Sequence, residues 1–397
     1  MIPTDPLFTI EVTDESIGLE GYVCIHSIGR AGSSGGMRCV PDISKEEVKL
    51  LARAMSFKYS YFGIPQGGAK AGIRMPYGAP IEERRRLISA MAKHLEPLIK
   101  RSNIWSVWTD MNFYGADLQH FFGSIGIDQR YRKTSGSTIR TGITGAWSVE
   151  ATAKALGLSP QDTRIAIEGY GGVAQVATNI LTRQGFRIAA LSNHLGAVHN
   201  TNGLDIDEVQ RAKAAHGHRW VETDGNWQRI GYRELFQVPS DILMPGARVH
   251  SIDIETASKL NTRALVPVAN VPCTDAAIKT IETRGIVYLP DYVVNGGGVC
   301  GWIKSEKDPF GKDFQEMIVR ALGMQETTGR PVRELCEEIA HTGFVSSTAE
   351  AYVVPSLKGK LLNRMLRLPG IRTFASKRDS GDVVRKMSNR LNAMHRH

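Results

Sequence analysis

The residues from Arg164 to Leu191 constrain the fold more than any other stretch. Arg164-Ile165-Ala166-Ile167-Glu168 is a short β-branched run, and Gly169-Tyr170-Gly171-Gly172-Val173-Ala174 follows it. A helical stretch, Val173–Arg183, leads to a second apolar run, Arg187–Leu191. Strand, glycine turn, helix and second strand within about thirty residues form the repeating unit of a doubly wound dinucleotide fold. Gly169 permits the tight turn, and Gly171 lets a pyrophosphate approach the backbone. Gly172 and Val173 open a helix whose N-terminus faces the negative charge, and Ala174 lets that helix pack on the strand. A lone Gly-x-Gly-x-x-Ala is weak, and an ordinary strand-to-helix turn is the plain alternative. The second strand, at the right distance, decides for the nucleotide.

Further short apolar runs recur at Asp241–Met244, Ala264–Val268 and Gly285–Leu289, separated by helical stretches. Three more strands of one parallel sheet account for them. Residues 311–343 read as two helices, the second starting near Pro331. An NAD site of this type usually ends its second strand with an acid that accepts from the ribose 2′-hydroxyl. Here Ser192-Asn193-His194 stands at that place, and no acid occurs between Gly169 and Asp205. Asn193 therefore takes the ribose position. Nothing there repels a 2′-phosphate, so NADP is slightly favoured over NAD.

The first ~140 residues follow another pattern, that of a mixed sheet with helices. Ser44-Lys45-Glu46-Glu47 reads as a capping box. Val48, Leu51, Ala52, Met55 and Tyr59 continue at helical spacing, with an end expected near Gly63-Ile64-Pro65. A second amphipathic helix fits Pro80–Ile99, and Tyr22–Ile25 suggests a short strand within Phe8–His26. Pro65-Gln66-Gly67-Gly68-Ala69-Lys70-Ala71-Gly72 reads as a glycine-rich loop with one lysine among small residues. Packed against a cofactor and desolvated, that lysine has its pKa lowered towards a useful range. Taken by itself, a surface turn with a solvated lysine is the better reading.

The net charge of +9 is not a property of the whole chain. Residues 356–397 hold eleven Lys/Arg and two Asp/Glu, and the rest balances. A nucleic-acid binder is therefore not expected. Leu357, Leu361, Leu362, Met365 and Leu366 interleave with Lys358, Lys360, Arg364 and Arg367 in this tail. A helix docked on its own protein or a sister subunit is favoured over contact with an anionic membrane surface. The five cysteines, Cys24, Cys39, Cys273, Cys300 and Cys336, are scattered, with no Cys-x-x-Cys pair and no zinc spacing. No metal is expected. With no apolar run of membrane length and no visible signal peptide, a cytoplasmic protein is expected.

Several motifs in order resemble the glutamate/leucine/phenylalanine/valine dehydrogenase family across about residues 10–345. They are Gly35-Gly36-Met37-Arg38, Ala54-Met55-Ser56-Phe57-Lys58, Pro65–Gly72, Thr109-Asp110-Met111 and Thr141-Gly142. Ile242–Ala247, Val268-Ala269-Asn270, Leu289-Pro290-Asp291-Tyr292 and Asn295-Gly296-Gly297-Gly298-Val299 complete them. The resemblance implies an α/β protein with a mixed α/β substrate domain (1–140), a Rossmann-type doubly wound parallel sheet (141–345) and catalysis in a cleft between them. The tail, 346–397, is unmatched. The resemblance also implies Lys70 as the catalytic lysine and Asp110 as its acid/base partner. Lys58, with Gly36 and Met37, is implied to bind substrate, and Thr144, Asn270 and Asn295 the nicotinamide side of the cofactor. Alternatives for single residues are a solvated surface lysine at Lys58, a helix cap at Asp110 and a turn residue at Asn295.

The activity so implied is NAD(P)-dependent oxidative deamination of an L-amino acid to a 2-oxo acid and ammonia, in a homo-oligomer. Glutamate-specific members carry a lysine where this chain has Ser34, which removes a charge-assisted anchor for a second carboxylate. An apolar or aromatic side chain is therefore favoured. The alternatives are a glutamate dehydrogenase that binds the carboxylate by another route, or an inactive member serving as a binding or regulatory subunit. Trp302 and Tyr59 also depart from the family pattern and bear on the side-chain pocket.

Overall fold

The computed structural model describes residues 1–101, 104–127 and 136–349, so the basic tail lies outside the described residues. These residues group into two compact units. One holds the residues up to 127 and those from Ile339 on, the other Gly136–Glu338. No described helix is long and apolar enough to cross a membrane.

In the first unit, β1 (Phe8–Asp14) and β2 (Leu19–Ile25) form a hairpin where a single short strand was expected. Then come β3 (Ser33–Val40), helix α1 (Lys45–Tyr61), β4 (Gly67–Arg74), α2 (Ile81–Glu96), β5 (Trp105–Thr109) and α3 (Gly115–Gly123). The sheet order is β1-β2-β4-β3-β5, with β1, β2 and β4 antiparallel in turn and β4, β3 and β5 parallel. Ser44 caps α1 by accepting from the Glu47 N–H at 3.1 Å, one half of the expected capping box, and the Glu47 carboxylate pairs with Arg38. Leu87, Ile88, Met91 and Leu95 of α2 pack into a core with Val23, Ile25, Ala71 and Ile73.

The glycine-rich segment expected as a loop is strand β4, in the middle of this sheet. Its glycines serve close approach and not turning. A Cβ on Gly67 would lie 1.9 Å from the Ser27 carbonyl oxygen, and one on Gly68 would lie 2.3 Å from that of Ala52. Gly, Ala and Lys have little preference for strands, so propensity points away from the sheet. Packing against α1 and pairing on both sides override it.

A buried polar chain locks β4 to α1. The Gly68 N–H donates to the hydroxyls of Ser56 and Ser27, and those hydroxyls lie 2.7 Å apart. His26 Nδ1 is 2.8 Å from Ser56 Oγ, and His26 Nε2 is 3.1 Å from the Pro3 carbonyl. A carbonyl only accepts, so Nε2 carries the proton and Nδ1 accepts from Ser56. Burial pushes the His26 pKa down to about 4, against the pull of the Pro3 carbonyl. A histidine held neutral in the fold contributes stability that is complete above its unfolded pKa near 6.5 and is lost as pH falls towards 4. Unfolding free energy is expected to fall by about 3 kcal/mol across that window. Urea titrations of wild type and His26→Gln check this: the variant should lose most of that slope, and an unchanged slope would contradict the assignment.

The second unit opens with α4 (Ser137–Ala155), and Thr141-Gly142 lies inside that helix. β6 (Arg164–Glu168), α5 (Gly172–Arg183) and β7 (Arg187–Asn193) form the expected β-turn-α-β unit. β8 (Gly196–His199) and α6 (Ile206–His216) follow, then β9 (Gln228–Ile230), β10 (Ile242–Pro245), β11 (Ala264–Leu265) and β12 (Val287–Tyr288). The sheet order is β12-β11-β10-β6-β7-β8-β9. β12, β11, β10, β6 and β7 are parallel, and β8 and β9 extend one edge antiparallel. From β6 the chain builds outward first on one side and then on the other. The glycine turn after β6 sits at that switch, where such sheets leave a crevice for a ligand.

Candidate functional site

Lys70 and Asp110 reach each other across an intervening strand. Lys70 is on β4, Asp110 directly follows β5, and β3 runs between, with Met37 in register with both Ala71 and Thr109. Gly35 and Gly36 of β3 leave the room this needs. A Cβ on Gly36 would come within 2.9 Å of the Asp110 Cβ, and one on Gly35 within 1.6 Å of the Ala69 carbonyl oxygen. The Lys70 amine pairs with Asp110 Oδ2, and the two side chains are 4% and 16% exposed. Asp110 Oδ1 accepts from the Met111 N–H at 2.6 Å and faces Arg38 Nη2 at 3.5 Å. Arg38 in turn pairs with Glu47 at 2.5 Å. Asp110 does not cap α3; there the Asp117 carboxylate accepts from the Tyr114 N–H.

Arg38 and Glu47 were not foreseen as part of this cluster. The available signal was strand alternation, which puts Arg38 on the same face of β3 as Gly36. Their charges matter for titration. Burial lowers the Lys70 pKa, with Arg38 adding to the lowering and Asp110 opposing it. Burial pushes Asp110 up, but the charges of Lys70 and Arg38 prevail and hold it well below the usual carboxylate range. The result is a lysine whose charged form burial disfavours, beside a carboxylate that rests ionised while that charge stands next to it.

Lys58, on α1, is 5% exposed, which removes the solvated-surface alternative. The Ser56 hydroxyl that holds Gly68 stands two residues before Lys58, and Gly68 stands two before Lys70, so one clamp fixes both lysine-bearing elements. The Met37 side chain lies fully buried in the core, so the expectation that it binds substrate is narrowed to its backbone. Ser34 is buried on β3, where its hydroxyl donates to the Ser106 carbonyl at 3.4 Å and faces the Tyr59 hydroxyl of α1.

In the second unit Gly169 adopts φ +82°, and its N–H donates to Ser192 Oγ at 3.0 Å, tying the turn to the end of β7. Gly171 caps α5, and Ala174 is buried under it. A Cβ on Gly172 would touch Thr138 Cγ2 at 3.0 Å, whereas one on Gly171 would meet nothing within 4 Å. Open space before a helix N-terminus is what a pyrophosphate needs. Gly171→Ala is therefore expected to fold normally and to weaken dinucleotide binding by about tenfold or more, since each lost charge-assisted bond costs about 1.5–3 kcal/mol. Fluorescence titration with reduced dinucleotide checks it; wild-type affinity in the variant would contradict the assignment.

Thr144, Asn270 and Asn295 come together around the glycine run. The Asn295 amide N–H donates to Asn270 Oδ1 at 3.0 Å and lies 3.3 and 3.2 Å from the carbonyls of Val268 and Ala269. Its Oδ1 is buried with no hydrogen-bond partner among the described residues. Thr144 Oγ1 accepts from the Gly297 N–H at 3.1 Å, and a Cβ at Gly297 would lie 2.0 Å from the Arg140 carbonyl oxygen. An orphaned amide acceptor beside a second amide suits a carboxamide-bearing ligand. Asn193 spends its side chain locally, donating to the His218 carbonyl and accepting from the Leu195 N–H.

Sequence reasoning missed Glu168, the fully buried last residue of β6. It accepts from the Tyr232 hydroxyl and, at 3.1 Å, from Ser251, and burial raises its pKa. An acid closing an apolar run was the signal. Among the described residues no group of three or more His, Cys, Asp or Glu is placed to hold a metal.

Residues 7–125 match the family model described as Glu/Leu/Phe/Val dehydrogenase, dimerisation domain, and residues 135–302 that of Glutamate/Leucine/Phenylalanine/Valine dehydrogenase. The NAD-specific glutamate dehydrogenase of Staphylococcus aureus is 30% identical over 70% of this chain and 70% of its own length. The NADP-specific glutamate dehydrogenase of a Synechocystis species is 26% identical over 87% of this chain and 84% of its own. Among solved structures, a hetero-hexameric glutamate dehydrogenase from Thermus thermophilus in a leucine-bound form superposes with a TM-score of 0.74. It is 22% identical, over 88% of this chain and 91% of that one, a likeness of fold.

Proposed function

Because the chain belongs to the glutamate/leucine/phenylalanine/valine dehydrogenase family, we propose that it catalyses NAD(P)-dependent oxidative deamination of an L-amino acid, and the reverse reductive amination. The observation that carries the mechanism is the buried Lys70–Asp110 pair. When bound, the nicotinamide supplies hydride acceptance at the substrate Cα. Lys58 holds the α-carboxylate, aided by the backbone of Gly36 and Met37. Lys70, as the neutral amine, takes a proton from the water that attacks Cα, and as the ammonium it polarises the 2-oxo group in the reverse direction. Asp110 rests as the carboxylate beside Lys70 and Arg38, and it takes protons from the nitrogen and returns them when Lys70 is neutral and no longer opposes its protonation.

The turn Gly169–Ala174 is assigned to the pyrophosphate, with Gly171 giving the close approach. Asn295 and Asn270 hold the nicotinamide amide, whose N–H satisfies the buried Asn295 oxygen. Thr144 positions this patch through Gly297. Asn193 stands at the ribose end. The relatives bear both NAD and NADP names; the lack of an acid after β7 favours NADP. We also propose an oligomer, since one matching model is described as a dimerisation domain. Light scattering that finds only monomer would contradict this.

The substrate side chain has two readings. Glutamate has the broader support, because the similar proteins named above bear that name. An uncharged side chain rests on one observation, the neutral and buried Ser34–Tyr59 pair where glutamate-specific members place a lysine. A matrix of L-amino acids against NAD and NADP, followed by reduced-nicotinamide absorbance in both directions, decides. Turnover of leucine or phenylalanine but not glutamate supports the Ser34 reading, and Ser34→Lys should then raise glutamate activity. Glutamate as the best substrate of the wild type contradicts it. No turnover with any pair, in either direction, would overturn the enzyme.

A further inference from the structure

Glu168 closes β6 immediately before the Gly169 turn and is fully buried, yet the deamination chemistry gives it no task. Two hydroxyls donate to it, that of Tyr232 from the 3₁₀ turn Tyr232–Gln237 and that of Ser251 at 3.1 Å. The peptide N–H groups of Gly246 and Ala247 face the same carboxylate. A carboxylate offers about four acceptor sites, so donors from three separate segments fill it. A buried acid bonded in this way is costly to displace, and it fixes those segments to one another.

Two chains of contacts lead from Glu168 to the amides of the nicotinamide patch. The first runs through the end of β10, where Pro245 is in register with Glu168. A Cβ on Gly246 would lie 2.7 Å from the Glu168 carbonyl oxygen, and one on Gly169 would lie 3.1 Å from that of Gly246. The turn and the strand end are thus packed backbone to backbone. The Pro245 carbonyl accepts from the N–H groups of Val268 and Ala269, at 2.8 and 3.0 Å. The carbonyls of those two residues flank the Asn295 amide. The second chain runs through Ser251. On either side of it the His250 N–H donates to the Val271 carbonyl at 2.9 Å, and the Ile252 N–H to that of Pro272 at 3.0 Å, just beyond Asn270. His250 is held at φ +55° and Val271 at φ +50°, a region that a β-branched residue avoids unless its surroundings impose it. The Gly169 turn keeps a tie of its own to β7, through Ser192.

We propose that Glu168 is a positioning residue that sets the register between the pyrophosphate turn and the Asn270–Asn295 patch, so that one dinucleotide engages both. This rests on the dinucleotide reading above and deepens it by naming the group that joins the two halves of the site. NADH and ADP-ribose, like NADPH and 2′-phospho-ADP-ribose, differ at the nicotinamide ring alone. Their affinity ratio, from calorimetric titration of the full chain, therefore reports on the patch without turnover. In the wild type the tighter-binding dinucleotide should exceed its partner by about tenfold or more, since its carboxamide satisfies the buried Asn295 oxygen. Glu168→Leu should bring that ratio towards one with the affinity for the ADP-ribose ligand nearly unchanged. Glu168→Gln, which keeps an acceptor for the peptide N–H groups, should restore most of the ratio. If leucine prevents folding, Tyr232→Phe/Ser251→Ala, which strips both hydroxyls, should lower the ratio by about threefold or more. A wild-type ratio in Glu168→Leu, or in the double variant that replaces it, overturns the inference while leaving the dinucleotide site standing. Equal loss of both ligands overturns it too, because damage to the fold does not choose between them. A ratio near one in the wild type overturns the patch assignment and the inference together. Failure of the wild type to bind any of the four ligands overturns the dinucleotide reading, and the inference with it.

Discussion

Lys70→Ala is expected to lower kcat by about 10²–10⁴, the range a positioned acid/base group supplies, while leaving dinucleotide affinity near the wild-type value. Affinity is spared because the glycine turn and the Asn295 patch belong to the other unit. The variant removes the amine but leaves the Asp110 carboxylate beside Arg38, so the acid is not stranded without a cation. Stability should therefore fall by less than the roughly 3–5 kcal/mol that breaking an isolated buried pair costs. Single-turnover kinetics and fluorescence titration on the same preparation separate the two effects. Loss of binding together with turnover would mean that the strand, and not the amine, had been damaged.

Asp110→Asn is expected to be nearly as damaging, and to shift a pH profile as well. The carboxylate is what opposes the lowering of the Lys70 pKa by burial and by Arg38. With it gone, Lys70 faces Arg38 with no carboxylate in contact, and its pKa falls further. Deamination needs the neutral amine, so the acidic limb of kcat/KM should move to lower pH in the variant. The rate on the plateau should drop by about 10² or more, since the proton path to the nitrogen is lost. A lower plateau with an unmoved limb would leave the proton path standing and show that Asp110 does not tune Lys70. A limb moved to higher pH would contradict the electrostatic account outright.

How far the sequence announced this depends on which physical signal each residue sends. The β6–α5–β7 unit was legible because β-branched runs and the glycine turn send local signals that tertiary structure does not override. β4 was not, because glycine in a strand and glycine in a loop look alike until the neighbours are known. Only the approach of the Ser27 and Ala52 carbonyls shows that Gly67 and Gly68 are packing residues. The same holds at the site. Lys70 and Asp110 stood out through the motifs around them, yet nothing local says that a third strand, emptied of side chains at Gly35 and Gly36, lets them meet. Arg38 and Glu47 were passed over because their importance is electrostatic, and charge coupling across strands has no signature in one dimension. Glu168 went unnoticed for a similar reason: its partners, Tyr232 and Ser251, are far along the chain.

Lys70 stands on a strand and not on the loop expected from its glycines. A lysine on a loop would sample many positions and would owe its reactivity to a closing motion. On β4, with pairing on either side and Ser56 holding Gly68, the amine is fixed before any ligand arrives. Preorganisation of this kind makes the acid/base group effective without reorganisation during the reaction.

The most direct measurement is the stoichiometry of turnover by wild type and Lys70→Ala, with the preferred amino acid and cofactor. Wild type should release one ammonia for each nicotinamide reduced. Lys70→Ala, at concentrations that saturate its intact dinucleotide site, should release neither at a comparable rate. Wild-type rates from that variant, or nicotinamide reduction without ammonia, would contradict the account.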